Sequence, residues 1–412
     1  MKKTLIAVAA AAALTTSAFA EITFGAWGRA ILVPIANNGD KTVAGQNQSW
    51  GGWGRATGLN IDGSDAEGKA GFSMSYRNKT NGDAETGDNA HFWIKPVDQV
   101  KIYAGKVEWN ALRGNACLPA WDWIRPSFEV GEDHIFKNYA GTGLLADIRP
   151  MDNLIVYVGV PLTNAFSSTK DDKSNDEAAN VYKRTQAGFG YTIDGIGTIK
   201  AQFRGVNKEK EIAGKKYNYT GNVGASFDLT AVENLWVGLG VTFPIMDKEL
   251  GGLEEVKDDN DTVIGSKVSD GTDMKIGLGA SYNVTDELTV MANGMVLLAQ
   301  NYEKEKTRDE SIKPGMQFAV GASYKIQDGL TAVAEVGYLG ERKCGDVKLN
   351  ESAVSALAGV NCACGAANVG IGFQMITNVT GKAEGLAGIK NPKKHTEKST
   401  QWAVPVVITL GL

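Results

Sequence analysis

The chain has 412 residues, of which 43% are hydrophobic and 22% are charged, and its formal net charge is −5. An acidic chain without a basic helix lacks the positive surface that binds nucleic acid, so we expect no nucleic-acid partner. No segment after the N-terminus approaches the ~18 continuous apolar residues that a membrane-spanning helix requires.

The first predicted element is a secretory signal peptide over residues 1–20. Lys2 and Lys3 form its charged region, and an alanine-rich apolar core follows. Ala18-Phe19-Ala20 is a cleavage site of the A-x-A type. We therefore expect export and a mature chain that begins at Glu21.

From Glu21 onwards, apolar and polar residues alternate with period two. Residues 199–204, 219–229, 274–282 and 318–326 show the pattern clearly. The runs are about 9–11 residues long, the length of a tilted membrane strand. The closing stretch QWAVPVVITLGL (401–412) is predicted to turn its alternate apolar positions to lipid and to pair with residues 21–32. Pro405 counts against such a strand, because it lacks a hydrogen-bond donor.

The alternation predicts seventeen strands. They lie near residues 21–32, 50–61, 68–78, 88–96, 98–108, 138–148, 152–162, 181–193, 196–206, 217–229, 233–243, 272–283, 286–299, 313–326, 330–340, 366–377 and 399–412. Single-chain bacterial barrels have even strand numbers. Counting the short segment 382–390 as a strand gives eighteen, the preferred number, whereas assigning 366–377 to a loop gives sixteen.

The connections alternate in length along the chain. Tight ones are predicted at 62–68, 149–153, 194–197, 230–234, 284–287 and 327–329, and long polar ones at 163–180, 244–269 and 340–365. This pattern is typical of bacterial outer-membrane barrels, which have short periplasmic turns and long extracellular loops. Residues 21–412 are therefore predicted to form an all-β fold, one transmembrane antiparallel β-barrel of 16–18 strands. A secreted β-sandwich would also alternate, but it would not need tight connections on one side.

The mature length resembles a Gram-negative outer-membrane porin in architecture. It departs from such porins at its last residue, Leu412, where they commonly end in an aromatic residue. The resemblance implies that the third extracellular loop, residues 109–137, folds into the channel as a constriction. Within it, PSFEVGED (126–133) is similar to the acidic Pro-Phe-Gly motif of the porin constriction loop. A homotrimer in the outer membrane is also implied by the resemblance alone.

Parity along the strands nominates residues that line the barrel interior. The basic wall candidates are Arg29, Arg55, Arg77, Lys101, Lys200 and Arg204; inward acids are expected to be few, with Asp228 and Glu335 among them. The acidic candidates on the constriction loop are Asp122, Glu129, Glu132 and Asp133. A basic wall opposite an acidic loop would create a transverse field that orients small hydrophilic solutes.

Aromatic residues leave two interpretations open. Inward rings are predicted for Trp27, Trp53, Trp93 and Tyr103, where they could form a track along which sugars pass, as in sugar-specific porins. The same rings would instead belong to interfacial girdles if they lay at strand ends facing lipid.

The predicted function is a passive diffusion channel for small hydrophilic solutes, located in the outer membrane and in contact with its lipids. A plugged surface barrel that acts as an adhesin or structural protein is the alternative from another class. An enzyme is not expected, because neither His91 nor His134 has a recognisable nucleophile or acid partner. No cofactor and no metal are implied.

The four cysteines are Cys117, Cys344, Cys362 and Cys364. An oxidising compartment favours disulfides, and Cys344 could reach Cys362 or Cys364 within the loop 340–365. Connectivity is not fixed by sequence. The spacing of Cys362 and Cys364 differs from that of a redox C-x-x-C pair.

Overall fold

The computed structural model describes residues 21–46, 55–79, 84–114, 140–162, 182–212, 215–246, 253–257, 263–268, 273–299, 313–344, 347–380 and 397–412. The predicted signal peptide lies outside these ranges. The described residues are almost entirely β-strand, and no helix among them is long and apolar enough to cross a membrane.

Eighteen antiparallel strands form one closed barrel. They are β1 (Glu21–Asn37), β3 (Arg55–Ser64), β4 (Ala70–Lys79), β5 (Ala84–Val97), β6 (Val100–Glu108), β7 (Ala140–Met151), β8 (Leu154–Pro161), β9 (Gln186–Ile193), β10 (Gly197–Ile212), β11 (Lys215–Leu229), β12 (Leu235–Met246), β15 (Asp273–Asn283), β16 (Leu288–Ala299), β17 (Gly315–Gln327), β18 (Leu330–Leu339), β21 (Ala353–Cys364), β22 (Ala367–Thr380) and β23 (Lys398–Gly411). Five short strands extend the long connections: β2 (Thr42–Gln46), β13 (Leu253–Lys257), β14 (Val263–Val268), β19 (Arg342–Cys344) and β20 (Val347–Asn350).

The first and last strands close the barrel, as predicted from the C-terminal stretch. β1 pairs with β3 along one edge and with β23 along the other, from Trp27 opposite Gly411 to Asn37 opposite Trp402. The register shifts between Leu32 and Ile35, so that Val33 and Pro34 together lie opposite Pro405. A bulge of this kind leaves ladder positions unpaired, which is where a strand tolerates proline.

The eighteenth strand is not the one predicted. It is β21, within the segment 340–365 that the sequence analysis assigned to a loop, and the proposed strand 382–390 lies outside the described residues. β21 pairs with β18 from Leu330 opposite Cys362 to Leu339 opposite Ala353. Its sequence AVSALAGVNCAC carries small residues on both faces, so the contrast between polar and apolar positions that marks the other strands is weak.

All six predicted tight connections join consecutive antiparallel strands at one end of the barrel, and further ones occur at 98–99 and 365–366. The long connections leave from the opposite end. Two of them contain hairpins, β13–β14 and β19–β20, which contact each other. By the topology rule of bacterial barrels, the end with tight turns faces the periplasm.

The two faces of the strands differ in chemistry. Outward positions carry exposed apolar side chains, with Tyr191, Tyr282 and Tyr324 near the tight turns and Phe243 and Phe318 near the opposite end. This arrangement is a lipid-facing band with aromatic residues at both interfaces. Inward positions are mostly polar. Two apolar clusters on the inner wall are exceptions. One lies at the seam and includes Ile31, Val333, Leu357, Ile376 and Val407, and the other includes Val107, Leu145 and Tyr157.

Two arginine substitutions test whether the outward apolar band faces lipid rather than water. Leu278 at the middle of β15 and Val232 in a tight turn are equally exposed, at 51% and 50%. Leu278→Arg should lower the free energy of unfolding in a bilayer by about 2–4 kcal/mol, because it places a charge near the midplane. Val232→Arg should change it by about 0.5 kcal/mol or less. Equal effects in reversible denaturant titrations would contradict the assigned faces.

Candidate functional site

The inward face holds most of the predicted basic wall. Lys200 is buried on this face, whereas its neighbour Ile199 is 41% exposed on the outside. Arg204 shares the parity of Lys200, and its Nε donates to Oε1 of Gln186 at 3.4 Å. Arg29, Arg77 and Lys101 also lie on inward positions.

Arg55 differs from the other wall candidates. It lies opposite Ala30 in the β1–β3 ladder and has the parity of Leu59, which is 49% exposed on the outer face. Its side chain is outside the described residues. The backbone register gives no support to its predicted position on the inner wall.

Inward acids pair with these bases. Nζ of Lys200 lies 2.5 Å from Oδ2 of Asp228, and both side chains are less than a tenth exposed. Arg77 contacts Asp88 at 3.2 Å, and Arg149 donates to both carboxylate oxygens of Asp147.

The sequence analysis therefore underestimated the number of inward acids. Asp147 follows two apolar residues, Leu144 and Leu145, so parity is ambiguous there. Asp88 lies at a register shift between β4 and β5. The described wall is a set of ion pairs rather than a bare basic surface.

The inward aromatic rings lie against glycines of the neighbouring strand. A Cβ atom at Gly58 would come within 2.3 Å of the ring of Trp27, and one at Gly71 within 2.5 Å of the ring of Trp93. Each pair is directly cross-strand in register. Tyr157 covers Gly188 in the same way. The pairing of a ring with a cross-strand glycine does not by itself give the face, because the outward ring of Phe72 covers Gly63 in the same way.

Lys101 occupies an aromatic corner on the inside of β5 and β6. Its Nζ lies 3.9 Å from the ring centroid of Trp93 and 4.9 Å from that of Tyr103. Tyr103 meets His91 edge to face, with ring centroids 5.3 Å apart. These three described aromatic candidates, Trp27, Trp93 and Tyr103, face the interior and not the lipid; Trp53 is outside the described residues.

The first residues after β6 pack onto the inner wall. Nε1 of Trp109 donates to Oδ2 of Asp147 at 3.1 Å, and its ring lies 4.7 Å from that of Tyr157. Leu112 fills the space that a side chain at Gly190 would occupy. Trp109 and Leu112 are both buried. The candidates Asp122, Glu129, Glu132 and Asp133 lie farther along this connection, outside the described residues.

A buried ion pair organises the rim at the end with long connections. The guanidinium of Arg342 donates to both carboxylate oxygens of Asp273, at 2.9 and 2.7 Å, and its Nε donates to the carbonyl of Lys313 at 3.0 Å. Since β16 and β17 lie between these strands, the contact ties the segment after β18 to the start of β15 across two neighbours.

Two inward cavities differ in lining. One of about 250 Å³ is bordered by Trp27 and polar groups, including Asn60, Asn89 and Glu108. Another of about 760 Å³ lies near the tight turns; among its lining residues are Ser281, Ser323, Thr331, Asn361 and Asn368. Charged groups therefore border the first cavity, including Glu108, whereas the polar side chains that line the second are small and uncharged.

The Lys200–Asp228 ion pair should contribute strongly to the stability of the barrel. Asp228→Asn removes the carboxylate beside a buried ammonium and should cost about 3–5 kcal/mol of stability. Replacing both partners, by Lys200→Met with Asp228→Leu, should cost much less, because no charge is left buried. A double-mutant cycle in denaturant measures the difference.

The control pair for this cycle is exposed. In the tight turn at 328–329, the hydrogen bond and charge of Lys325 lower the pKa of the Asp328 carboxyl. Asp328→Asn should leave stability unchanged within error, because water solvates both groups. An Asp228→Asn variant as stable as this control would mean that water already solvates the inward pair.

No protein-family model matches the sequence, and no curated protein matches it. Solved structures do match. The outer membrane channel DcaP of Acinetobacter baumannii is 12% identical with a TM-score of 0.50, covering 96% of this chain and 98% of its own. The anion-selective porin of Comamonas acidovorans is 11% identical with a TM-score of 0.51, covering 95% and 100%. OccK5 (OpdH) of Pseudomonas aeruginosa is 10% identical with a TM-score of 0.51, covering 95% and 98%. At these identities the likeness concerns the fold, and the chain has the closed-barrel fold of outer-membrane porins.

Proposed function

We propose that the protein is a passive diffusion channel for small hydrophilic solutes across an outer membrane. The observation that carries this proposal is the contrast between the faces of the closed barrel, apolar outside and mostly polar within. A sheet that encloses polar side chains behind a lipid-facing band is the arrangement that surrounds water in membrane barrels. The signal peptide over 1–20 would deliver the chain to that membrane.

The constriction is proposed to be the connection 109–137. Its described beginning is already anchored inward, by Trp109 on Asp147 and Tyr157 and by Leu112 on Gly190. These three contacts lie on β7, β8 and β9, where the Arg149–Asp147 ion pair also lies. Asp122, Glu129, Glu132 and Asp133 would then face the bases of the inner wall.

Ion selectivity should be weak in this arrangement. Arg77, Arg149 and Lys200 each contact an inward carboxylate, so much of the wall charge is compensated at close range. Lys101 and Arg204 add positive charge that the acidic loop would offset. Homotrimers are part of the proposal through the porin resemblance alone.

Single-channel recording of the refolded mature barrel in a planar bilayer tests the proposal. We expect discrete, stable openings and a small reversal potential in a salt gradient. Neutralising Glu129, Glu132 and Asp133 together should shift the reversal potential toward anions. Silence from protein shown to be folded would overturn the channel and favour a plugged surface barrel that presents its loops to a partner.

The anchored beginning of the connection 109–137 allows a second test of the proposed constriction. Trp109→Ala with Leu112→Ala removes two buried side chains, each worth about 2–5 kcal/mol of packing, and should release the loop from the wall. Conductance and open-channel noise should rise. Ala111→Ser, at the exposed position between them, is the matched control and should behave as wild type. Unchanged conductance in the double variant would separate this loop from the constriction.

A sugar-specific channel is the second candidate, favoured by the cavity beside Trp27. One ring face is occupied by Gly58, and the cavity borders Trp27 together with the hydrogen-bonding groups of Asn60, Asn89, Glu108 and others. An apolar ring beside such groups suits the flat face and hydroxyls of a sugar.

Sugar block of the open-channel current tests this candidate. Trp27→Ala should weaken block by a neutral linear oligosaccharide roughly tenfold, equivalent to about 1.4 kcal/mol. Trp236→Ala, which removes an inward ring outside this cavity, should not. Absence of block in the wild type would leave the general channel as the function.

A further inference from the structure

Two cysteines lie side by side at the end of β21. Cys362 and Cys364 are exposed free thiols, and their Sγ atoms are 3.8 Å apart. They are two residues apart on an extended strand, so both side chains leave the same face. Their parity is that of Val354, which is 41% exposed, and opposite to that of the buried Leu357. The thiols therefore lie on the outer surface of the barrel.

Cross-strand register places this pair beyond the apolar band. Tyr324 lies opposite Ala332, which lies opposite Val360, so these three share one row around the barrel. Tyr324 is half exposed near its tight turn, the position of an interfacial aromatic residue. Cys362 and Cys364 are two and four residues beyond this row, next to the tight turn at 365–366. Water and dissolved ions reach them from the periplasmic side.

The spacing of the two sulfur atoms fits one tetrahedral metal ion. Zn²⁺ binds thiolates at about 2.3 Å, and two sulfurs 3.8 Å apart at that bond length subtend about 111° at the ion. The tetrahedral angle is about 109°. A linear two-thiolate site with the same bonds would need about 4.6 Å between sulfurs. The pair is therefore set for tetrahedral rather than linear coordination.

A disulfide suits the same pair poorly. Cα atoms two residues apart in a strand are about 6.8 Å from each other, the upper end of the range that a disulfide spans. The strand cannot shorten locally without losing its ladder, because Cys362 lies opposite Leu330 on one side and Val369 on the other.

The bridge from Cys344 to this pair, which the sequence left open, does not form, since Cys362 and Cys364 are free thiols. Cys344 ends β19, in the connection at the opposite end of the barrel. β21 begins at that end with Ala353, and Cys362 lies nine residues further along it, about 30 Å of strand away. Neither Cys362 nor Cys364 is within bonding distance of it.

We propose that Cys362 and Cys364 form a two-thiolate site for a thiophilic divalent cation of the Zn²⁺ type. On binding, each thiol releases its proton, two S–Zn bonds form, and water fills the two remaining tetrahedral positions. Among the residues that the structure describes, no cluster of three or more His, Cys, Asp or Glu side chains could complete the site. It is independent of the channel, since it lies on the outer surface at the periplasmic end.

Cobalt substitution tests the site directly. The full mature barrel in detergent, carrying Cys117→Ser and Cys344→Ser, retains the pair as its two cysteines. Titration with Co²⁺ should give thiolate-to-metal charge-transfer absorption and the visible bands of a tetrahedral ion at one equivalent, and Zn²⁺ should displace them. Two protons per ion should be released. Cys362→Ser or Cys364→Ser should each abolish the bands.

The matched control keeps both thiols but separates them. Ala363→Cys with Cys364→Ala places the second thiol on the opposite face of the strand, and it should give no bands. The wild type and its Cys362→Ser/Cys364→Ser variant repeat the comparison if the serine background does not fold. A folded protein with two titratable thiols and no charge-transfer band overturns the site. So does a purified protein whose pair is already a disulfide by mass.

Discussion

Closure of the sheet is the constraint on which the rest of the structure depends. In hydrocarbon every backbone N–H and C=O must be paired within the protein, so an open edge is not tolerated. The β1–β23 seam removes both edges, and its one irregularity sits where Pro34 and Pro405 have no donors to pair. Once the register of the seam is set, parity assigns each side chain to lipid or interior, because a slip of one residue would exchange the faces.

The inward face then has to provide partners for the polar, charged and aromatic side chains that cannot face lipid. Its charges lie in a confined interior, where an unpaired ammonium or carboxylate destabilises the fold. Ion pairs such as Lys200–Asp228 and Arg149–Asp147 offset this destabilisation. Its rings are accommodated by removing side chains opposite them, as at Gly58 beneath Trp27. Part of the high content of 50 glycines therefore serves ring packing on the wall rather than turns.

Sequence periodicity predicted the barrel because most strands alternate strongly and the tight turns are short. It failed at β21, where small residues such as alanine occupy both faces. Contacts such as Arg342 with Asp273 join residues 69 positions apart, and no local pattern encodes them. Inward acids were missed where a bulge or consecutive apolar residues obscure parity, as at Asp88 and Asp147.

The start of the third connection docks on a part of the wall that combines apolar packing with charge. Trp109 and Leu112 need an apolar and hydrogen-bonding surface to dock on, and the Leu145–Tyr157 cluster with Asp147 supplies it. Docking buries these groups together, so the carboxylate of Asp147 is held by Trp109 and Arg149 rather than by water. Ser281, Thr331 and Asn361, near the tight turns of other strands, instead border a cavity of about 760 Å³. Small side chains there leave this space open, whereas Trp109, Leu112 and Tyr157 fill the wall beside the third connection.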